Sequence, residues 1–342
     1  MDRWPVVLLT LITLVVPGGA AGSKYSGLYN SEQIDAPGAR GIVSTRLLVI
    51  GSATIDVQMD TAHLDVNPAQ ITLWIQNAAQ AVTVFYGKFP VNSVLVRVVS
   101  DSDIDSSIHG TTWGNINGFQ AVTRMRLGQH VTERDLAEDW TMTHELVHMA
   151  LASLPDNQHW MEEGIASYIE PIARAQAGGL PINQVWLGMV RGMPHGEPEP
   201  GDRGLDRTHS WGRTYWGGAL FCLVADITIR RQTHNRKGLQ NALRAIVGEG
   251  ATIDQERTLI KVLEIGDRAT GTNVLVDMYT AWKDKPVTVD LERFWQELGV
   301  RPNRNGVDLD PNATLSSFRD SITSPATVPQ IADKPRCRGR RC

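Results

Sequence analysis

From residue 45 the chain alternates apolar and polar positions in two short runs, TRLLVIG and TIDVQMD, both rich in β-branched residues. A period of two predicts strands, and their closeness predicts that they pair. Asn67-Pro68 then opens a helical pattern through AQITLWIQNAAQAVTVFYG, stopped by Gly87 and Pro90. NSVLVRVVS and GFQAVTRMRLG return to strand patterning, the second half-exposed and therefore near a sheet edge. Thr132, with Asp135 three residues on, forms a capping pair. It heads a helix through LAEDWTMTHELVHMALASL that should stop before Pro155. A second helix is predicted over QHWMEEGIASYIEPIARAQAG, bent at Pro171. The Gly- and Pro-rich stretch MPHGEPEPGDRGLDRTHS predicts a loop. Helical spacing resumes in YWGGALFCLVADITIRRQ, GLQNALRAIVGEG, TLIKVLEI, TNVLVDMYTAW and LERFWQELGV. The outline is α+β. An irregular lead-in covers 22–45, a mixed β-sheet subdomain with a helix pair covers 46–176, and an all-helical subdomain covers 177–322. A disordered, Pro- and Arg-rich basic tail is expected over 323–342.

Composition narrows this picture in three ways. A length of 342 residues, 42% of them hydrophobic, suffices for a sizeable core in one large domain or two subdomains. A net charge of −4 excludes the strong basic excess of a nucleic-acid surface. Ten tryptophans against six tyrosines and six phenylalanines favour a residue that packs around clefts and junctions. At the N-terminus, Val6 to Val16 is apolar apart from two threonines, and the small residues PGGAAG follow. That run is shorter than the roughly 20 residues a membrane span needs. It predicts a signal peptide over 1–21, cleaved near Ala21, and export to a periplasm or the cell exterior. No later segment is long and apolar enough to span a membrane. Cys337 and Cys342 could close a small loop in an oxidising compartment, whereas Cys222 sits in an apolar helical stretch and should be a buried thiol.

The chemistry is concentrated in THELVHMALASL at 143–154. His144 and His148 lie one helical turn apart, so both imidazoles leave the same face and can reach one zinc ion. Glu145 projects about 100° further round, near a metal-activated water without binding the metal. This is the HExxH pattern, in which the glutamate is the general base. The apolar neighbours Leu146, Val147, Met149, Ala150 and Leu151 place the helix in the interior, where unpartnered polar groups are costly. A catalytic zinc takes a third protein ligand. Leu151 and Leu154 occupy the places at which HExxHxxGxxH would supply a glycine and a third histidine. The ligand must then come from HWMEEGIASYIE. Residues 163, 166, 167 and 170 share one face, and Ala166 and Ser167 are small enough for close approach to the first helix. Glu163 is therefore the expected ligand and Glu162 its solvated neighbour. His159 is a further candidate.

HELVH followed by WMEEGIASY resembles the gluzincin metallopeptidases, in particular the aminopeptidase N-like and glycyl aminopeptidase-like families. The resemblance implies a zincin-type catalytic domain and one zinc ion on His144, His148 and Glu163, with Glu145 as base. The gap between His148 and Glu163 is shorter than in aminopeptidase N-like enzymes, as if a loop were trimmed. Those families also carry Tyr-x-(Lys or Arg)-Gly at a helix start, whose tyrosine stabilises the oxyanion. YWGGALF matches at Tyr215, with Gly217 at the basic position. His209, just upstream, is a second candidate for that task. One departure concerns the edge strand before the metal helix, where the family's glutamate holds a substrate amine. WGNINGFQAVTRMRL carries no acid between Trp113 and Leu127. An edge strand can still align a peptide by backbone pairing, and Glu162 is an alternative amine anchor.

The resemblance spans about residues 110–225 by motif and implies a zinc peptidase acting on peptides or proteins, which the leader would make secreted or periplasmic. Two other readings stay open at this level. One is a zinc hydrolase of a non-peptide substrate, and the other a secreted zinc-bound binding module with no activity. Glu145 argues against the last, since a purely structural site needs no base.

Overall fold

The computed structural model describes residues 44–304, 306–326 and 331–335. The proposed signal peptide, residues 22–43 of the lead-in and both Cys337 and Cys342 lie outside the described residues. Strands β1 (Ser44–Ile50) and β2 (Ala53–Asp60) form an antiparallel hairpin, pairing Leu48 with Ile55. Helix α1 (Pro68–Tyr86) carries the chain across to β3 (Ser93–Asp101), which runs parallel to β2. Asn67 caps α1 by accepting from the amides of Ala69 and Gln70, and Gly87 ends it at φ 79°, a left-handed conformation that suits glycine. Strands β4 (Ile108–Ile116) and β5 (Phe119–Gly128) form a second hairpin, with β5 parallel to β3. The pattern reading found β5 and its place next to an edge. It did not find β4, whose sequence IHGTTWGNI lacks a continuous apolar face.

The predicted long helix over 133–154 is instead two: α2 (Glu133–Glu138) and α3 (Thr141–His148). Asp139 causes the break. Its backbone turns extended, and its carboxylate accepts from the Met142 amide at 2.9 Å and the Trp74 indole at 3.0 Å. A side chain that captures the next helix's amide competes with helix continuation. Helix α4 (His159–Gln176) continues through Pro171. Then follow α5 (Ile182–Gly192), not predicted, and α6 (Gly218–Gln232). Helices α7 (Leu239–Gly248), α8 (Leu259–Thr270), α9 (Val274–Trp282) and α10 (Leu291–Leu298) match the later helical patterns.

Two findings correct the expected C-terminal half. It is not all-helical, because β6 (Val300–Asn303) and β7 (Gly306–Leu309) form a hairpin before α11 (Ser316–Thr323). The expected disordered tail is ordered at β8 (Ala332–Pro335), which pairs antiparallel with β1. Backbone pairing to an open strand edge orders a segment whose composition gives it no core of its own. The six-stranded sheet therefore runs β4-β5-β3-β2-β1-β8. One hydrophobic core joins sheet and helices, from Leu48 and Ile71 through Met142 and Trp160 to Phe221 and Leu263. Cys222 is a buried free thiol. No helix among the described residues is long and apolar enough to cross a membrane.

Candidate metal centre

Helix α3 is buried from Thr141 to Val147, consistent with its apolar neighbours. His144 and His148 stand on one face, their ring centroids 4.8 Å apart. Glu163 comes from the second turn of α4. Its Oε2 lies 3.0 Å from His144 Nε2 and 3.7 Å from His148 Nε2. The ligand atoms of the three residues thus lie within 4.8 Å of one another, close enough for one cation. On another side of α4, Gly164 allows a close crossing with the following helix, since a Cβ there would overlap the Cα of Gly218 at the start of α6.

The protonation states suit a cation. Burial pushes His148 down to about 4, so its imidazole is neutral. Burial would raise Glu163, but His148, His144 and His159 around it hold its carboxyl well below the usual range. For His144, burial disfavours the charged ring, and the hydrogen bond and charge of Glu163 outweigh it. A neutral imidazole, a second imidazole and an ionised carboxylate converge in the interior, which is the donor set of a His2Glu zinc site. The residues fit the group.

His159 stands behind this cluster, on the far oxygen of Glu163, at 3.1 Å from Oε1. Its other nitrogen meets Glu162 Oε2 at 2.8 Å. Burial opposes its charge, but the hydrogen bonds to Glu162 and Glu163 raise it to about 10. It orients the Glu163 carboxylate, as outer-shell partners of metal ligands do. Glu162 is not a free, solvated neighbour. Its Oε1 accepts from the Leu154 amide at 3.0 Å, so both oxygens have a partner within the protein.

Glu145 points to the edge strand. Its Oε2 accepts from the Thr112 hydroxyl on β4 at 2.7 Å, and Thr123 Oγ1 stands 2.9 Å from the same hydroxyl. Burial raises Glu145 to about 7, against the lowering effects of His144 and Thr112. That value suits a group that must both take and release a proton near neutral pH. Gly110 leaves the room it occupies, since a Cβ there would overlap Cγ and Cδ of Glu145. Strand β4 itself carries no acidic residue.

Tyr215 lies in a π-helical turn, Gly212–Gly217, that leads into α6. Such wide turns recur where a helix must re-aim a side chain. The turn is anchored by the buried Arg213–Asp202 ion pair at 2.7 Å and by Arg213 donating to the Gly196 carbonyl. Gly212 and Gly196 are needed for close packing, because a Cβ on either would strike backbone. The Tyr215 ring faces His144 at 6.3 Å, inclined by 21°. Burial, then the charges of Glu163 and Glu145, push its phenol well above the ordinary value, so it remains a proton donor. His209 is exposed on the preceding loop and makes no hydrogen bond or ring contact with the cluster.

Four residues at the site escaped the pattern reading: Gly110, Thr112, Trp140 and Trp211. Trp140 was legible in principle, since 140, 144 and 148 form a stripe four residues apart. Trp211 stands in the same relation to Tyr215. Gly110 and Thr112 were hidden with the strand that carries them.

No family model matches the sequence, and no curated protein matches it. Solved structures do match in shape. An aminopeptidase N family protein from Idiomarina loihiensis superposes with a TM-score of 0.55 at 13% identity, covering 75% of this chain and 49% of that one. An M1 zinc metallopeptidase from Deinococcus radiodurans gives 0.44 at 13% identity, covering 72% and 52%. Legionella pneumophila aminopeptidase A gives 0.47 at 12%, covering 71% and 28%. The first match shows that this chain has the mixed α/β fold of an aminopeptidase N-like peptidase. The chain spans about half the length of the Idiomarina protein.

Proposed function

We propose that the protein is a zinc-dependent peptidase that hydrolyses peptide bonds with a metal-activated water. The observation that carries this is the convergence of His144, His148 and Glu163 beside the buried Glu145. His144, His148 and Glu163 would hold one zinc ion, and when bound it supplies Lewis-acid polarisation and makes water acidic near neutral pH. Glu145 would take a proton from the attacking water and pass it to the leaving amine. Thr112 holds the receiving carboxylate oxygen at the sheet edge. Tyr215 keeps its proton and donates it in a hydrogen bond to the developing oxyanion. The outer side of β4, unpaired among the described residues, offers backbone groups along which an extended peptide can align. Strand β4 carries no acid to anchor a free N-terminal amine, and Glu162 already holds the Leu154 amide and His159. Export through the apolar leader is part of the same reading, supported by Val6–Val16 and the small residues after it.

The reading is tested by a mass-spectrometric cleavage profile of a diverse peptide library with the zinc-loaded protein. Glu145→Gln should keep the metal and lose the cuts, whereas Glu163→Ala should lose the metal. Substantial turnover by Glu145→Gln would overturn the mechanism. Turnover of a lipid or other small molecule, without peptide cleavage, would favour a non-peptide hydrolase instead.

A further inference from the structure

We infer that Trp140 and Trp211 form an aromatic subsite beside the metal centre, and that the substrates carry an aromatic residue adjoining the scissile bond. The inference rests on the peptidase reading above and extends it to the substrate class.

Exposure is the first observation. Among the described residues, only Leu73, Trp140 and Trp211 are large hydrophobic side chains open to solvent. Trp140 is 52% exposed and Trp211 51%, while the other described tryptophans are buried or half-buried. A chain that covers its other indoles leaves these two in water, and both stand at the same centre.

Their placement is the second. The Trp140 ring meets the His144 ring edge to face, with centroids 5.3 Å apart. The Trp211 ring lies 6.2 Å from Tyr215, inclined by 30°. Since Tyr215 faces His144, the sequence Trp140, His144, Tyr215, Trp211 is an unbroken row of rings. The indoles sit at its two ends, Trp140 against the metal residue His144 and Trp211 against the oxyanion donor Tyr215. In the proposed arrangement a side chain adjoining the scissile bond packs on one of them.

The third is rigidity. Trp140 directly follows Asp139, whose carboxylate is fixed by the Trp74 indole and the Met142 amide. Trp211 is held from behind by the His195 ring at 5.8 Å, and the neighbouring Gly212 packs on the His195 carbonyl. Two pre-placed indoles favour a flat aromatic guest, because offset and edge-to-face ring pairs add to simple area burial. A basic guest could also be drawn by the ring faces, but β4 offers no carboxylate to fix its charge.

The test uses the zinc-loaded full chain, a peptide library with balanced residue frequencies, and the variants Trp140→Ala, Trp140→Phe, Trp211→Ala and Trp211→Phe. We expect wild-type cuts to cluster beside Phe, Tyr or Trp. Each alanine variant should lose about tenfold in kcat/KM on an aromatic substrate relative to its alanine-for-aromatic counterpart. The phenylalanine variants should retain most of the preference. Zinc content and melting temperature should stay unchanged. Binding of L-phenylalanine hydroxamate against L-alanine hydroxamate, by titration calorimetry, gives a readout apart from turnover, and the phenyl advantage should shrink in both alanine variants. Glu145-dependent cleavage with no aromatic bias, a bias towards Lys or Arg, or a bias that survives both alanine variants would overturn this inference and leave the peptidase reading standing. Absence of any Glu145-dependent cleavage would remove both.

Discussion

Thr112 has a hydroxyl in a position where few side chains could serve. It reaches from the edge strand to the oxygen of Glu145 at 2.7 Å and favours the ionised form. Thr112→Val keeps the shape and deletes that donor. Loss of a charge-assisted hydrogen bond of about 1.5–3 kcal/mol should lower kcat by roughly ten- to a hundredfold with KM little changed, and Thr112→Ser should recover most of it. Gly110→Ala attacks the same carboxylate by volume, so steady-state kinetics should show inactivation while metal analysis shows zinc retained. Glu170, also buried, is raised to about 7 from 4.5 by burial, against the pull of Arg174 at 3.0 Å. The folded state therefore holds more protons than the unfolded chain between about pH 4.5 and 7, and this group's contribution to stability falls as pH rises through that window. In metal-stripped protein, Glu170→Gln should gain on wild type by on the order of 2–3 kcal/mol between pH 4.5 and pH 8, read by denaturant unfolding. The metal residues were legible because their chemistry fixes their spacing along one helix. Thr112 was not, because a lone threonine carries no pattern and its partner is 33 residues away.

At the level of elements, the site hangs on the crossing of α4 and α6. The Gly164–Gly218 approach leaves no space for a methyl group, since the nearest obstacle is backbone. Gly164→Ala must spread α4, which carries Glu163, from the start of α6, which directly follows the turn bearing Tyr215. It should cost about 1–3 kcal/mol in thermal unfolding and weaken zinc binding, whereas the same change at solvent-facing Gly188 should do neither. Amphipathic stretches long enough to repeat their period, such as α1 and α4, were readable from sequence. Elements defined by competition were not. The break between α2 and α3 depends on Asp139 choosing the Met142 amide, and propensity along the segment favours a continuous helix. Strand β4 and the β6–β7 hairpin are set by pairing partners, which a local window does not contain. The site survived these errors because the break falls before His144 and so leaves the His144–His148 spacing intact.

For the molecule as a whole, metal and fold should be coupled. A cation that binds only the folded chain at a hundred times its Kd adds about 2.7 kcal/mol. Chelation should lower the melting temperature by roughly 5–10 °C in a calorimetric scan, and zinc should restore it. Glu163→Ala should abolish that increment, while Glu145→Gln should keep it. Cys222 is buried, and burial followed by the charge of Asp226 raises its thiol well above the ordinary range. Iodoacetamide should leave it unmodified in the folded protein and label it after denaturation, as intact mass will show.

Strand β8 acquires a meaning of its own from its position. Of the two sheet borders among the described residues, one faces Glu145 and the other is occupied by four residues from the end of the chain. A strand so short is a poor template for further pairing. Its removal would bare the hydrogen-bonding edge of β1 from Arg46 to Val49 without touching the metal residues. A chain truncated after Ala326 should therefore still take up zinc but associate with copies of itself as concentration rises, a change visible by sedimentation velocity. Were that association seen, β8 would be a cover for a bare strand edge, placed at the border farthest from the chemistry.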